Sequence, residues 1–384
     1  YEALKDAPET LSRYRVMMNR EPEELKWAFR YGDTLYQQGR LSEATETFKK
    51  VDELYARKVS SAPEAVTPEE RAFAAQARFY RANQEMKAFQ KIAIRGDKIE
   101  NALIQKKLKA HQAVEAAGLE VAQYASPRWT IASLVMAAKA NDEISRFFLE
   151  APEPKGLNMA QKQQYRQWVD DKVRPYREKA VQYRQAALDK AHHVGIFCPE
   201  VTACYRALNG GAEPPAIGRG ALRLSRGESS PEKSLKALVE GLYADPGNTS
   251  LLRSLAVAYA DQGRVELASL VLHRCLEENP QDAQSQNMLG LIRLLQGEDQ
   301  EAYGLFQKVL ELDPGMDEAK ANLVVLNEGY GNFQKAKESL SEIVDKQALL
   351  SASDSGVHPD FQASVGRLEV VAFDDSEIEA LEEE

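Results

Sequence analysis

The sequence predicts an all-α protein, an α-solenoid (superhelix) of helical hairpins with an atypical long-helix central region, on three observations. The first is a period. Gly263, Gly297 and Gly331 stand 34 residues apart, Ala268, Ala302 and Ala336 follow each by five, and Leu272, Phe306 and Leu340, then Cys275, Val309 and Ile343, keep the same register. Pro280 and Pro314 close the first two copies. The second is the pairing of small with large residues inside each copy. It lets two helices approach closely while the large side chains fill the seam, and each hairpin needs a neighbour to bury its other face. The third is composition: 43% hydrophobic and 28% charged residues over 384 positions, with little strand-like alternation.

In chain order, a first helix ends ahead of Pro22, since the residue before proline avoids helical geometry. Gly32, Gly39, Leu41, Ala44, Phe48 and Val51 then fill the positions of a further repeat, so residues 1–60 form a helix plus a repeat-like hairpin. Residues 61–208 are helical but irregular. Thr67-Pro68-Glu69-Glu70 is a strong start signal, with a hydroxyl N-cap, proline in the first turn and acids beside the positive helix end. It predicts a helix over 69–88. A longer helix over 99–124 carries Lys106, Lys107 and Lys109 as a solvated face. Ser126-Pro127 opens an Ala-rich helix, 151–157 is a turn, and two amphipathic helices follow at 159–173 and 175–193. Residues 209–230, rich in Gly, Pro and Ser, read as a linker or hinge. The regular array spans 231–348, its first copy lacking one helix. Residues 349–384 form an acidic tail, loop-like to 365, with a short strand or helix over 367–373 and then a solvating acidic run.

Charge is uneven. Residues 1–200 carry 33 basic and 28 acidic side chains, whereas 201–384 carry 16 and 31. An acidic repeat surface repels phosphate, which argues against nucleic acid as a partner. No apolar run reaches the length of about 18 residues that a membrane-spanning helix needs. A chain beginning at Tyr1 leaves room for a leader or a lipid anchor upstream. Cys275 lies in the apolar seam of a repeat and reads as a small buried hydrophobe. Cys198 and Cys204 are either thiols or a disulfide clipping a helix entry in an oxidising compartment.

The segment NMLGLIRLLQGEDQEAYGLFQKVLELDP resembles the tetratricopeptide repeat. In that family the first helix of each hairpin lines a concave groove, and the residue after the small Ala256, Gly290 and Val324 projects inward. The resemblance therefore implies a protein-binding stripe of Val257, Leu291 and Val325, extended by Leu294 and Leu295 with Arg253 and Asn287 beside it. Such a stripe suits an amphipathic helix or apolar peptide. It is equally suited to covering by the chain's own C-terminal segment, around 368–373, because exposed apolar stripes are costly in water. Relatives that grip acidic chaperone tails use a lysine, arginine and asparagine clamp. The matching positions here are Arg253, Val257, Met288, Glu318 and Asn322, so most of the clamp is missing and a co-chaperone role is disfavoured.

The middle region, roughly 70–205, is similar to tetratricopeptide proteins of deltaproteobacterial envelopes, in particular the repeat lipoprotein of the myxobacterial gliding machinery. Trp129 ahead of an Ala/Ser-rich helix, the Pro152–Leu157 turn, Tyr165 and the Lys179–Tyr183 stretch carry the resemblance. It implies a scaffold in the periplasm or on the inner face of the outer membrane, contacting envelope or motility proteins. The alternative is a cytoplasmic adaptor of the same fold that holds a peptide in its groove. No phosphate loop, dinucleotide glycine pattern, His-Glu-x-x-His or nucleophile elbow is present. No catalytic, cofactor-binding or metal-binding residue is therefore nominated, and the expectation is a non-catalytic interaction protein.

Overall fold

The computed structural model describes residues 7–94, 100–218, 231–351 and 356–368. Among them there is no strand. The chain divides into two compact units, Tyr1–Val194 and Gly195–Glu384.

The first unit is built from α1 (Ala7–Arg20), α2 (Leu25–Gln37), α3 (Leu41–Ser61), α4 (Pro68–Gln90), α5 (Asn101–Ala122), α6 (Pro127–Leu149) and α7 (Met159–Val194), each packing on its sequence neighbour. The α2–α3 hairpin shows why its sequence folds so. Gly32 faces Phe48 so closely that a Cβ there would lie 2.7 Å from the ring. Phe48, Ala44 and Val51 are wholly enclosed. The start of α4 is as expected: Thr67 accepts from the Glu70 amide while the Glu70 carboxylate accepts from the Thr67 amide, a complete capping box.

Two expectations in this unit change. The two helices expected over 159–193 are one 36-residue helix, α7 (Met159–Val194), that runs through Pro175. Interior proline costs about 3 kcal/mol. Burial of Val173, Ala180, Ala187, Leu188 and Ala191 on both sides of it, with α6 packed along α7, offsets that cost. Lys107 is not solvated but completely buried. Its ammonium donates to Phe89 O (3.0 Å) and Ile92 O (2.9 Å), which close the end of α4, and pairs with Glu143 of α6 at 2.9 Å.

The second unit comprises α8 (Pro199–Leu208), α9 (Pro231–Ala244), α10 (Thr249–Asp261), α11 (Val265–Glu278), α12 (Ala283–Gln296), α13 (Asp299–Leu312), α14 (Asp317–Glu328), α15 (Phe333–Ser341), α16 (Lys346–Ser351) and a last helical stretch, 361–368. Helices α10–α11, α12–α13 and α14–α15 are the three hairpins of the 34-residue period. Its glycine is the turn between paired helices: Gly263, Gly297 and Gly331 all have φ between 72° and 82°, open to glycine at little cost. The periodic alanines are fully buried, and so is Phe306. A Cβ on Gly290 would lie 2.5 Å from the Phe306 ring, the same approach as Gly32 to Phe48.

The boundary between units falls after Val194 rather than at 208. Helix α8 belongs with the array because Phe197, just ahead of it, meets Tyr303 (4.9 Å, tilted) and Tyr330 (5.0 Å, edge-on), and Tyr205 covers Gly331 and meets Phe333. The described part of the expected linker also packs, since Pro214 is buried and Ile217 lies against Gly329. The rest of that linker, 219–230, lies outside the described residues.

Candidate functional site

Helix α14 is enclosed on every side from Ala319 to Glu328, although four of those ten residues, Lys320, Asn322, Asn327 and Glu328, are polar or charged. Burial of such groups is tolerable only when each is paired. Lys320 Nζ donates to Glu342 O and Asp317, and Asn327 Nδ2 to Leu323 O. The remaining two partners come from the C-terminal segment.

Asn287 of α12 and Asn322 of α14, one residue off the 34-residue register, form an amide ladder. Asn322 Nδ2 donates to Asn287 Oδ1 at 2.9 Å, and both Nδ2 atoms donate to the carbonyl of Gly356 at 2.8 and 2.9 Å. The Asn322 Oδ1 accepts from the His358 amide at 2.7 Å. His358 is buried. Its Nδ1 accepts from the Asp360 amide (3.1 Å) and its Nε2 faces Gly218 O (3.1 Å). An amide only donates and a carbonyl only accepts, so the ring is the neutral tautomer protonated at Nε2. Beyond it, Phe361, Val365 and Leu368 pack into a cluster with Val324, Val325, Leu340 and Ile343. Arg367 lays a two-pronged guanidinium on the buried Glu328 carboxylate at 2.6 and 2.7 Å.

This arrangement decides the fate of the expected stripe. Asn287, Leu291, Leu294 and Val325 are buried, and Val257 and Leu295 are half-buried. Arg253 is half-buried and pairs with Asp282. The face around Asn287 and Val325 is therefore not open, because the chain itself covers it. The covering segment is 356–368, which is helical from 361 rather than loop-like; the anticipated stretch 369–373 lies outside the described residues. Sequence reasoning missed His358, Asp360, Arg367 and Glu328. The 4,3 spacing of Phe361, Val365 and Leu368 was the available signal.

The disulfide alternative fails on geometry. Cys198 is the N-cap of α8 and Cys204 lies six residues on, about 9 Å of helical rise. A disulfide joins Cα atoms about 4.4–6.8 Å apart. Both sulfurs are buried thiols. Among the described residues no group of three or more His, Cys, Asp or Glu could hold a metal ion, and no helix is long and apolar enough to cross a membrane.

Residues 253–317, from α10 to the start of α14, match the family model of the tetratricopeptide repeat. No curated protein matches the chain. Among solved structures, the chain is similar to the TPR2AB domain of yeast Sti1 in its complex with pHSP90. Identity is 13%, 92% of this chain and 98% of that one are covered, and the TM-score is 0.27. It is similar also to yeast Tom70 (10% identity, 95% and 71% covered, TM-score 0.29) and to the C-terminal part of a repeat protein from Cytophaga hutchinsonii (15%, 84% and 98%, 0.26). At such scores nothing rests on the overlays. The described residues are all-α and built of packed helical hairpins, and those over 253–317 are of tetratricopeptide type.

Proposed function

We propose that this protein is a non-catalytic scaffold that binds other proteins through its solenoid, within a complex of the bacterial cell envelope such as a gliding-motility assembly. The observation that carries the binding role is the Asn287–Asn322 ladder. Two side-chain amides hold the main chain of residues 356–358, a mode of recognition that suits polypeptide. The packing pattern of 70–205 supports the envelope setting, at the periplasm or the inner face of the outer membrane, where a lipid anchor ahead of Tyr1 would serve. A second reading is a cytoplasmic adaptor of the same fold that holds a peptide in its groove.

Crosslinking and mass spectrometry of the tagged native protein, with cell fractionation, tests both. Crosslinks to envelope proteins are expected. Crosslinks confined to soluble cytoplasmic proteins would select the second reading, and an absence of protein crosslinks would remove the scaffold role.

A further inference from the structure

We infer that the groove over α12 and α14 is a site for a peptide of a partner protein, and that residues 356–368 close it as an internal stand-in for that peptide. This rests on the scaffold reading and names the ligand's chemistry and its control.

The stand-in shows what the groove selects. At its first position the ladder reads a main-chain carbonyl and, two residues on, a main-chain amide, so affinity there is independent of sequence. Selectivity comes from three places. The residue at Gly356 fits best when small, since a Cβ would lie 3.1 Å from the Glu318 side chain, which would have to shift. The residue at His358 must offer an N–H to the Gly218 carbonyl from a ring that also accepts the Asp360 amide. The residue at Phe361 must be large and apolar, leading into a helical turn that presents Val365 and Leu368 to Val325 and Ile343. A basic residue six beyond the aromatic then meets Glu328, whose carboxylate is 1% exposed. The fitting partner is thus a peptide reading small–x–His–x–acid–aromatic, followed by a short amphipathic helix ending in Arg or Lys.

The groove cannot stand empty without loss. Without the strap, Asn287, Asn322 and Glu328 would exchange these bonds for bonds to water, and the apolar cluster around Val325 would lose Phe361, Val365 and Leu368. The strap is held at its far end by Arg367, 44% exposed on the strap side, where a change loosens the strap without entering the core.

The test uses the full chain and a fluorescein-labelled peptide of residues 354–370, read by anisotropy. Arg367→Glu sets two like charges together and should loosen the strap, so the variant should bind the peptide at least about tenfold more tightly than the parent, the peptide's own arginine taking Glu328. Adding Asn322→Ala should abolish the gain. Equal binding by parent and Arg367→Glu, or a gain that survives Asn322→Ala, overturns the proposal. Should Arg367→Glu not fold, amide hydrogen exchange of the parent decides. His358 and Ser364 amides exchanging well before those of α12 and α14 support a strap that opens by itself, and exchange together with them makes 356–368 a fixed part of the core. Peptide binding without any native crosslinked protein would sink the scaffold reading alone, and crosslinks without peptide binding the strap alone.

Discussion

Lys107 shows what one side chain can hold. Its ammonium ends α4 by taking two carbonyls, pairs with Glu143 and lies over the Phe89 ring at 4.1 Å. Lys107→Met keeps the stem but leaves the Phe89 and Ile92 carbonyls without their donor, while Glu143 keeps Arg146, so a loss of about 1–3 kcal/mol is expected, read as a lower urea midpoint. His111, one turn on, adds a pH dependence. Burial holds its imidazole below the ordinary value; Glu115 on its own helix opposes this, while Lys179 of α7 and Lys107 add to it. The unfolded chain therefore takes up the proton at higher pH than the folded one. The stability that the neutral ring contributes is present above a pH of about 6.5 and is lost as pH falls from there through the folded value. His111→Gln should flatten the decline of the melting midpoint between pH 7 and 5; an unaltered decline would assign it to other groups. Both residues were legible in part. Lys107, His111, Val114, Gly118 and Val121 are spaced as one helical stripe, and all are buried. Residue type hid what spacing showed, because a lysine triplet reads as solvent-facing until a paired acid is known.

At the scale of elements, the hairpin is the unit that sequence revealed best. Glycine turn, enclosed alanine and seam residue recur because each answers a steric demand that no other residue type meets equally well. The array at 249–341 and the α2–α3 hairpin were therefore readable. Helix α7 was not. A proline predicts a break from local geometry, and only the tertiary packing of Val173, Ala180 and Ala187 carries the helix through. Pro175→Ala restores a donor to the interior of that helix and should raise the thermal midpoint of the first unit. A lowered midpoint would mean that the proline sets a bend on which the α6–α7 contact depends.

At the scale of the molecule, Gly32→Ala and Gly290→Ala offer a paired test, since each drives a methyl into a phenylalanine of its own unit. Each should cost about 1–3 kcal/mol. As the sites share no partner, the double variant should show the sum within about 0.5 kcal/mol by denaturant titration. A larger deviation would reveal coupling between the two units. Leu291→Glu, by contrast, places a charge in a fully enclosed site and would report on folding rather than docking. The groove's location was legible from the repeat period, but its occupant was not, because the covering residues lie some 70 positions from Asn287 and carry no repeat of their own. Residues 356–368 are covalently part of the chain whose groove they fill, so they present themselves to it at an effective concentration of about 1 mM. A partner at about 1 μM must then bind roughly a thousandfold more tightly than the strap sequence itself to hold half of the grooves. Mass action alone thus sets a threshold that weak, generic peptides do not cross, however well their main chain suits the two asparagines.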